Sequence, residues 1–307
     1  MPKLSVIVPV YNVAQYIERC ARSLFEQTMN DIEFIFVDDC SPDNSIDIIK
    51  GILKDYPERI NNVFFCYHEE NKGLPSARKT GYNQAKGEYI AHCDSDDWVS
   101  PNMYETLYEK AMQDNADIVC CDFYKSDGEK KRFYPISDYH GGLLQGPVWN
   151  KIAKRGLYKN IAFPKANKAE DGVIMMQLSF FANKISVIHI PLYYYFDNPE
   201  SICLVPSREA CINRWLQECE NTDMRIEFLN RNRVADRYNK SIIMMKYYSL
   251  TNLIPFLRED EVYRLWKSRY SEIGKHMLFS SYLPFRVRVS YTLMRFRQVN
   301  LLKLLRK

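Results

Sequence analysis

The stretch EYIAHCDSDDW, residues 88–98, joins a short apolar segment to three aspartates within four positions. Like charges this close together oppose one another, so Asp94, Asp96 and Asp97 need a reason to be neighbours. A solvated turn is one reason, because water screens the charges. A bound cation is the other, because Mg²⁺ and Mn²⁺ use one or two carboxylates and leave room for phosphate oxygens. The stretch alone leaves both interpretations open.

The stretch belongs to an alternation of strands and helices that covers the first 125 residues. Continuous apolar segments, typical of strands buried on both faces, are followed by segments with helical periodicity. The predicted strands cover 4–10, 32–37, 63–67, 88–92 and 117–124, and the predicted helices cover 13–27, 46–53, 75–86 and 101–115. Short links between them are typical of βαβ units. We therefore predict an α/β fold with a mostly parallel central sheet and flanking helices.

Polar clusters directly follow four of these strands, at 9–12, 38–43, 69–72 and 94–97. In open parallel sheets, ligands bind beyond the carboxyl ends of the strands. We therefore expect the four loops to converge on one crevice. This position favours the cation interpretation of the three aspartates more than their spacing does.

The remaining chain is less regular. Residues 126–170 are loop-rich and include the aromatic and basic stretch VWNKIAKRGLY at 148–158. A helical pattern returns at 171–183, a short strand is predicted at 185–190, and 208–258 has helical character throughout. A mainly helical C-terminal region is thus expected after the α/β part.

The composition is that of a folded globular protein, with 46% hydrophobic and 26% charged residues among 307. No apolar run approaches the length of about 18 residues that a transmembrane helix needs, so none is predicted. The nine cysteines include no CxxC pair. This pattern indicates reduced thiols in a cytoplasmic protein, and it argues against a zinc site or a disulfide framework.

The net charge of +4 is unevenly distributed. The segment 273–307 has eight Lys or Arg and no Asp or Glu, so the rest of the chain carries −4. Its end, FRVRVSYTLMRFRQVNLLKLLRK, mixes basic and apolar residues as membrane-surface segments do. An anionic membrane surface is the predicted partner of this tail, and a packing helix or a subunit contact is the alternative. Nucleic acid is not a predicted partner.

Four motifs together resemble a known family. VIVPVYN at 6–12, VDDCSPDNS at 37–45, NKGLPSARKTGYNQAKGEYIAHCDSDD at 71–97 and AEDGVIMMQLSFFAN at 169–183 are similar, in order and spacing, to the inverting glycosyltransferases of family 2, which have the GT-A fold. The resemblance covers about 3–200. It implies a nucleotide-sugar-binding catalytic domain at 1–200. The residue patterns described above add a helical extension at 201–272 and the basic amphipathic tail at 273–307.

The resemblance also implies a role for each matching residue. The residues expected to bind the nucleotide-sugar donor are Pro9 and Tyr11 at the base, Asp39 at the uracil or ribose, and Asp94 with Ser95 at the ribose side. The cations Lys72 and Arg78 of NKGLPSAR would neutralise the diphosphate, and a solvated basic helix face is the alternative for them. Asp96, the second aspartate of the DxD motif, would ligate a divalent metal, Mn²⁺ or Mg²⁺. Asp171 would be the general base that takes a proton from the acceptor hydroxyl.

The acceptor side is implied by fewer residues. Glu170 precedes the base, and Trp149 and Asn150 match an acceptor-side loop of the family in which the indole could support a sugar ring. A core aromatic is the alternative for Trp149, and acids favoured at a helix N-terminus are the alternative for the Glu170–Asp171 pair. One departure stands out at YYYFDNPESI, residues 193–202. Here Phe196 and Asp197 replace the Arg or His that the family often places near the diphosphate.

The function implied is a metal-dependent inverting hexosyltransferase. It would move a sugar from a UDP-linked donor to a lipid-linked glycan acceptor in surface polysaccharide or lipooligosaccharide synthesis, at the inner face of the plasma membrane. A sugar-phosphate nucleotidyltransferase is one alternative, although 8–20 lacks the Gly-rich basic loop that such an enzyme needs. A non-catalytic glycan-assembly partner is the other, and the intact Asp94, Asp96 and Asp171 argue against it.

Overall fold

The computed structural model describes residues 1–136, 143–144, 146–198, 207–279 and 283–305 of the chain. It divides into two compact units, Met1–Pro199 and Glu200–Lys307. The predicted boundary at 200/201 and the last two residues of the tail lie outside the described residues. The catalytic role of the first part and a separate role for the tail stay predictions.

Nine strands among the described residues of the first unit form one sheet. They are β1 (Leu4–Val10), β2 (Ile32–Asp38), β3 (Val63–Tyr67), β4 (Tyr89–His92), β5 (Trp98–Val99), β6 (Ile118–Ser126), β7 (Lys131–Tyr134), β8 (Lys151–Lys154) and β9 (Ile185–Phe196). Their order across the sheet is β3-β2-β1-β4-β8-β6-β9-β5, and β7 pairs with β6 beside this path. Strands β1 to β4 therefore form one contiguous half of the sheet.

Helices cover both faces of the sheet. They are α1 (Ile17–Phe25), α2 (Ser45–Leu53), α3 (Leu74–Gln84), α4 (Met103–Asp114) and α5 (Glu170–Phe181). Because side chains of a strand alternate between faces, Val6 and Val8 join the core formed with α1, α2 and α4. Ile7 joins the core formed with α3 and α5. Burial on both faces explains why the first strand reads as one apolar run.

The direction of strand pairing changes at β8. Pairing is parallel from β3 through β2 and β1 to β4, as predicted. Strand β8 then runs antiparallel to both β4 and β6, and β6 pairs in parallel with β9. The α/β class is confirmed, but the sheet is mixed, because a strand from the predicted loop-rich segment is inserted between the fourth and fifth predicted strands.

The second unit is helical, as predicted for the C-terminal region. Its helices are α6 (Arg208–Arg231), α7 (Asn239–Leu250), α8 (Asp260–Ser268), α9 (Ile273–Phe279), α10 (Phe285–Arg295) and α11 (Val299–Leu305). Its core combines Trp215 of α6 and Trp266 of α8 with Tyr291, Met294 and Leu302 of the basic tail. The tail thus contributes buried side chains to this unit. Among the described residues, no helix is both long and apolar enough to cross a membrane.

Candidate active site

Strand pairing brings the predicted polar loops to one edge of the sheet. Beyond the ends of β2, β3 and β4, the backbone continues to pair: Asp39 N donates to Val10 O (3.0 Å), His68 N to Asp38 O (2.9 Å), and Cys93 N to Ile7 O (3.0 Å). The loops that follow these residues therefore start side by side. The expected convergence of the four loops on one edge is present in the structure.

The loop after β1 is tied to the loop after β2. Asp43 accepts hydrogen bonds from Ala14 N (2.7 Å) and from the hydroxyls of Ser41 (2.7 Å) and Ser45 (2.6 Å). The bond from Ala14 fixes the backbone shortly after Tyr11, whose side chain is exposed. Its accessible ring at the sheet edge is consistent with the predicted contact to a nucleobase. Pro9, in contrast, is buried within β1.

Asp39 organises the loop before α3. Its Oδ1 accepts from His68 Nδ1 (2.6 Å) and Lys72 N (2.9 Å), and its Oδ2 accepts from Gly73 N (2.8 Å). The second ring nitrogen of His68 is paired with Thr80 Oγ1 at 2.8 Å. Asp39 is almost completely buried. It therefore holds the start of α3 in place, while the Lys72 side chain lies exposed beside it.

The three aspartates of the opening stretch have different surroundings. Asp97 is buried, and its carboxylate accepts from Tyr193 Oη (2.6 Å) and Phe196 N (2.7 Å), so it anchors β9. Asp94 and Asp96 remain partly exposed, whereas Ser95 between them is buried. The spacing i, i+2 thus places two carboxylates, and not three, toward solvent.

Arg78 joins three segments that are distant in sequence. From α3, its Nε donates to Glu170 Oε1 (2.9 Å) and its Nη2 donates to Asp94 Oδ1 (2.9 Å). The same Nη2 lies 3.6 Å from Asp171 Oδ1, within ion-pair distance. The Arg78 side chain is only 1% exposed. The structure thus places it neither on a solvated helix face nor in an open diphosphate crevice, because the three carboxylates enclose it.

This cluster shifts the pKa values of its acids. Burial raises the pKa of Asp94 to about 6, against the opposing effect of Arg78. Burial also raises the pKa of Glu170 well above its usual value near 4.5, with Arg78 opposing and the neighbouring Asp171 reinforcing the shift. One cation therefore does not balance three carboxylates here. Glu170 is 2% exposed and Asp171 is 27% exposed, so only the second acid is accessible to a reactant.

The two residues predicted for the acceptor loop are buried. Trp149 stacks on Tyr193, with ring centroids 4.3 Å apart, and on Tyr195 at 5.6 Å. Asn150 is fully buried, and its Nδ2 donates to Cys121 O at 2.6 Å. Trp149 is a buried core aromatic, as in the alternative given for it above. Neither Trp149 nor Asn150 exposes a surface to an acceptor. Direct acceptor contacts by these two residues stay untested predictions.

Several residues around the aspartates have no signal in the sequence. Arg19 of α1 stacks its guanidinium on Trp98, 3.6 Å from the ring centroid, and donates to Asp96 O at 3.1 Å. Tyr193 Oη donates to Asp97 and accepts from Asp94 N at 3.2 Å. Asn198 Nδ2 donates to Asp96 Oδ2 at 3.1 Å. These contacts join segments about 80 to 100 positions apart, which no local pattern reveals.

The carboxylates fit one kind of metal site. The described residues contain no group of three or more His, Cys, Asp or Glu side chains placed to hold an ion. A closed protein cage is therefore not formed by them. Mg²⁺ and Mn²⁺ instead accept one or two carboxylates and complete their shell with phosphate and water. The partly exposed Asp94 and Asp96 match this second arrangement.

A family comparison agrees with this geometry. The sequence model described as glycosyl transferase family 2 matches residues 5–177, which is more than half of the chain. The chain belongs to glycosyltransferase family 2. The matched segment contains every motif on which the resemblance was based, apart from the last few residues of the fourth motif.

A relative supports the same family membership. EpsJ of Bacillus subtilis (strain 168), a glycosyltransferase, is 34% identical to this family 2 chain over 230 residues. The aligned part covers 68% of the chain and 65% of EpsJ. The chain thus spans less than two thirds of the length of this relative. The prediction of a family 2 member of bacterial surface-glycan synthesis is confirmed at the level of the family.

Solved structures confirm the fold. TarS 1–349 of Staphylococcus aureus in complex with UDP-GlcNAc superposes with a TM-score of 0.61 at 21% identity, covering 99% of this family 2 chain and 90% of the TarS chain. The mannosyltransferase PcManGT of Pyrobaculum calidifontis, in complex with GDP-Man and Mn²⁺, gives a TM-score of 0.55 at 15% identity, with coverages of 98% and 86%. The predicted GT-A fold is confirmed.

Proposed function

We propose that the chain transfers a hexosyl group from a nucleotide-sugar to a hydroxyl of a glycan acceptor, with inversion at the anomeric carbon. The observation that carries this proposal is the Arg78 cluster. It joins Asp94, from the loop that would bind the donor, to Asp171, the accessible acid at the start of α5. A donor-side carboxylate and a candidate base thus share one buried cation. Bond formation on one side of a sugar and departure on the other need such a fixed relation.

The proposed donor is a UDP-sugar. The exposed Tyr11 ring lies where a base could stack, and the exposed Lys72 supplies a positive charge for a diphosphate. TarS, a structural neighbour, is solved with UDP-GlcNAc, which supports the uridine nucleotide. PcManGT is solved with GDP-Man, so the fold alone does not select the base. A thermal-shift screen with UDP-, GDP- and TDP-sugars measures this preference directly, and stabilisation by GDP- or TDP-sugars alone would contradict it.

The proposed cofactor is Mn²⁺ or Mg²⁺, held by Asp96 with Asp94. A divalent ion at this position would neutralise the charge that develops on the leaving diphosphate. Arg78 holds Asp94 by one oxygen, Oδ1. Asn198 and Arg19 hold the side chain and the carbonyl of Asp96. These contacts would keep the loop in one conformation before the donor binds.

Asp171 is the proposed general base. A carboxylate that accepts the acceptor proton contributes roughly 10²–10⁴-fold to the rate of such a reaction. Asp171 lies in the first turn of α5. Its partial exposure allows an acceptor hydroxyl to approach it. Inversion needs a single displacement and so a single base.

The proposed acceptor is a lipid-linked glycan at the inner membrane face. The acid-free tail with eight basic residues supports this location, since anionic lipids attract such segments. EpsJ, a glycosyltransferase, and TarS, named as a poly(ribitol-phosphate) β-N-acetylglucosaminyltransferase, support a bacterial surface polymer as the product class. Trp149 and Asn150 are not needed for this proposal.

A comparison of two variants tests the proposal. The full chain is incubated with UDP-sugars and Mn²⁺, and UDP release and transfer to acceptor lipids are measured. Asp96→Ala is expected to lose metal-dependent UDP binding, because it lacks a metal ligand. Asp171→Asn is expected to bind UDP normally and to lose transfer by at least about 100-fold. Transfer at the wild-type rate by Asp171→Asn would contradict the base assignment. Nucleotide binding by the wild type without turnover of any donor would favour a glycan-assembly partner instead.

A further inference from the structure

An apolar stripe lies on the outward face of α10. Ser290, Tyr291 and Met294 of this helix are buried in the core of the second unit. Phe285 and Phe296 lie on the opposite side and are 78% and 66% exposed. Val289 and Thr292 lie between these two at spacings of three and four, so the four residues form one row along the helix. A surface helix normally places polar side chains on its outward face, so two exposed phenylalanines in one row need another explanation.

The neighbouring helices extend this apolar face. On α11, Leu301 and Leu304 are exposed while Leu302 is buried, so that helix also exposes apolar side chains. An open groove of about 190 Å³ lies between α9 and α10. It is lined by Met277, Leu278, Phe285, Arg288, Val289, Thr292 and Leu293. We call this groove, together with the exposed Phe285, Phe296, Leu301 and Leu304, the docking face.

The charged residues that the tail contributes around the docking face are all basic. The segment 273–307 contains no acid. Lys275 and Arg295 are exposed. Arg288, at the groove, donates through Nη2 to Leu278 O, while its buried Nε has no partner among the described residues. Arg297 differs from these basic residues, because its charge is neutralised by an ion pair with Asp260 of α8. A guanidinium group at the edge of an apolar groove suits a phosphate attached to an acyl chain.

We infer that the docking face binds the surface of an anionic lipid bilayer, with Phe285 and Phe296 inserted among the acyl chains and Arg288 at a lipid phosphate. Contiguous exposed apolar patches rimmed by charge mark sites of membrane or protein interaction. A second copy of the chain fits less well, because two faces that each carry an excess of positive charge repel one another. The inference deepens the proposed membrane location, but it does not depend on the transfer reaction.

Vesicle co-sedimentation tests the inference with the full chain. The wild type is expected to bind vesicles of phosphatidylglycerol and phosphatidylcholine, to bind less at high salt, and to bind vesicles of phosphatidylcholine alone at least tenfold more weakly. The double variant Phe285→Ser/Phe296→Ser is expected to lose at least tenfold in binding to the mixed vesicles. Leu216→Ser is the matched control, since Leu216 is a 52% exposed apolar residue on α6 outside the docking face.

Three results would overturn the inference. The wild type could fail to bind the mixed vesicles, or the double variant could bind them like the Leu216→Ser control. The third is a wild-type dimer in light scattering that the double variant converts to a monomer without any vesicle binding, which would make the face a subunit interface. Release of UDP from a soluble donor is expected to be equal in all three proteins. Vesicle binding without any transfer activity would count against the proposed function alone.

Discussion

At the scale of single residues, the Arg78 cluster carries an imbalance of charge. One guanidinium faces Glu170, Asp94 and Asp171, so three ionised carboxylates would leave a net negative charge in a buried place. Glu170 Oε2 and Asp171 Oδ1 are both buried without a hydrogen-bond partner among the described residues. A proton on Glu170 resolves both problems, because the neutral acid then donates to Asp171. The raised pKa of Glu170, caused first by burial, agrees with this state.

Substitution of Glu170 separates its charge from its hydrogen bonds. Glu170→Gln keeps an acceptor for Arg78 Nε and a donor for Asp171, so we expect transfer within about threefold of wild type and little loss of stability. Glu170→Ala leaves Arg78 without its buried partner, which typically costs about 3–5 kcal/mol of unfolding free energy. Denaturant unfolding and transfer rates check both. Equal damage by the two substitutions would show that Glu170 acts as an ionised carboxylate.

The raised pKa of Glu170 predicts that the unfolding free energy depends on pH. A carboxyl group whose pKa is higher in the folded than in the unfolded chain stabilises the fold at pH values below its unfolded pKa, and that contribution is lost as the pH rises through the folded value. We therefore expect the unfolding free energy of the wild type to fall, relative to Glu170→Gln, as the pH rises above the ordinary glutamate pKa near 4.5. The slope approaches about 1.4 kcal/mol per pH unit between the two pKa values. Melting of both proteins across this range measures it, and a constant difference would contradict it.

At the scale of elements, the entry to α3 depends on one backbone conformation. Gly73 has φ +86°, and a Cβ there would lie 2.5 Å from Asn167 Oδ1. Its N–H also donates to Asp39. Gly73→Ala is therefore expected to lose about 1–3 kcal/mol of stability and to weaken nucleotide binding, because the loop beside Lys72 must shift.

A second glycine provides the matched control. Gly51 lies in α2, and a Cβ there meets no atom within 4 Å. Gly51→Ala is expected to raise stability by about 0.5–1 kcal/mol through helix propensity. Thermal melts and UDP titrations of the two variants give the comparison. Unchanged UDP affinity in Gly73→Ala would show that this loop does not shape the donor site.

The elements also show how far sequence reasoning reaches. The predicted strands at 4–10, 32–37 and 63–67 agree with the structure within one residue. Burial on both faces makes the first two mostly apolar, whereas the third is an apolar run although its side chains are partly exposed. Strands β5, β7 and β8 are not predicted from the sequence, because two or four residues with flanking charge carry too little periodicity. The predicted strand ends placed the loops of Asp39 and Asp94 at the correct edge of the sheet. The partners of those acids, Arg78 and Tyr193, depend on tertiary contacts that spacing does not encode.

At the scale of the whole molecule, the basic tail is part of a core. Met294 is fully buried in the second unit, whereas Leu304 is 68% exposed. Met294→Ala is expected to cost about 2–5 kcal/mol of unfolding free energy in that unit. Leu304→Ala is expected to stay within about 0.5 kcal/mol of wild type. Chemical denaturation followed by tryptophan fluorescence measures both, since Trp215 and Trp266 lie in the same core. Equal stability of the two variants would mean that the tail is a dispensable appendage.

The guanidinium that unites α3, the loop after β4 and the start of α5 has a practical consequence for redesign. Segments exchanged between this chain and its relatives to alter sugar preference cut across a single ionic unit, since its members are 16 and 92 positions apart. A chimera that inherits Arg78 from one parent and the acids from another will assemble only if both parents use the same three-way pairing. Such exchanges should therefore move these segments as one cassette.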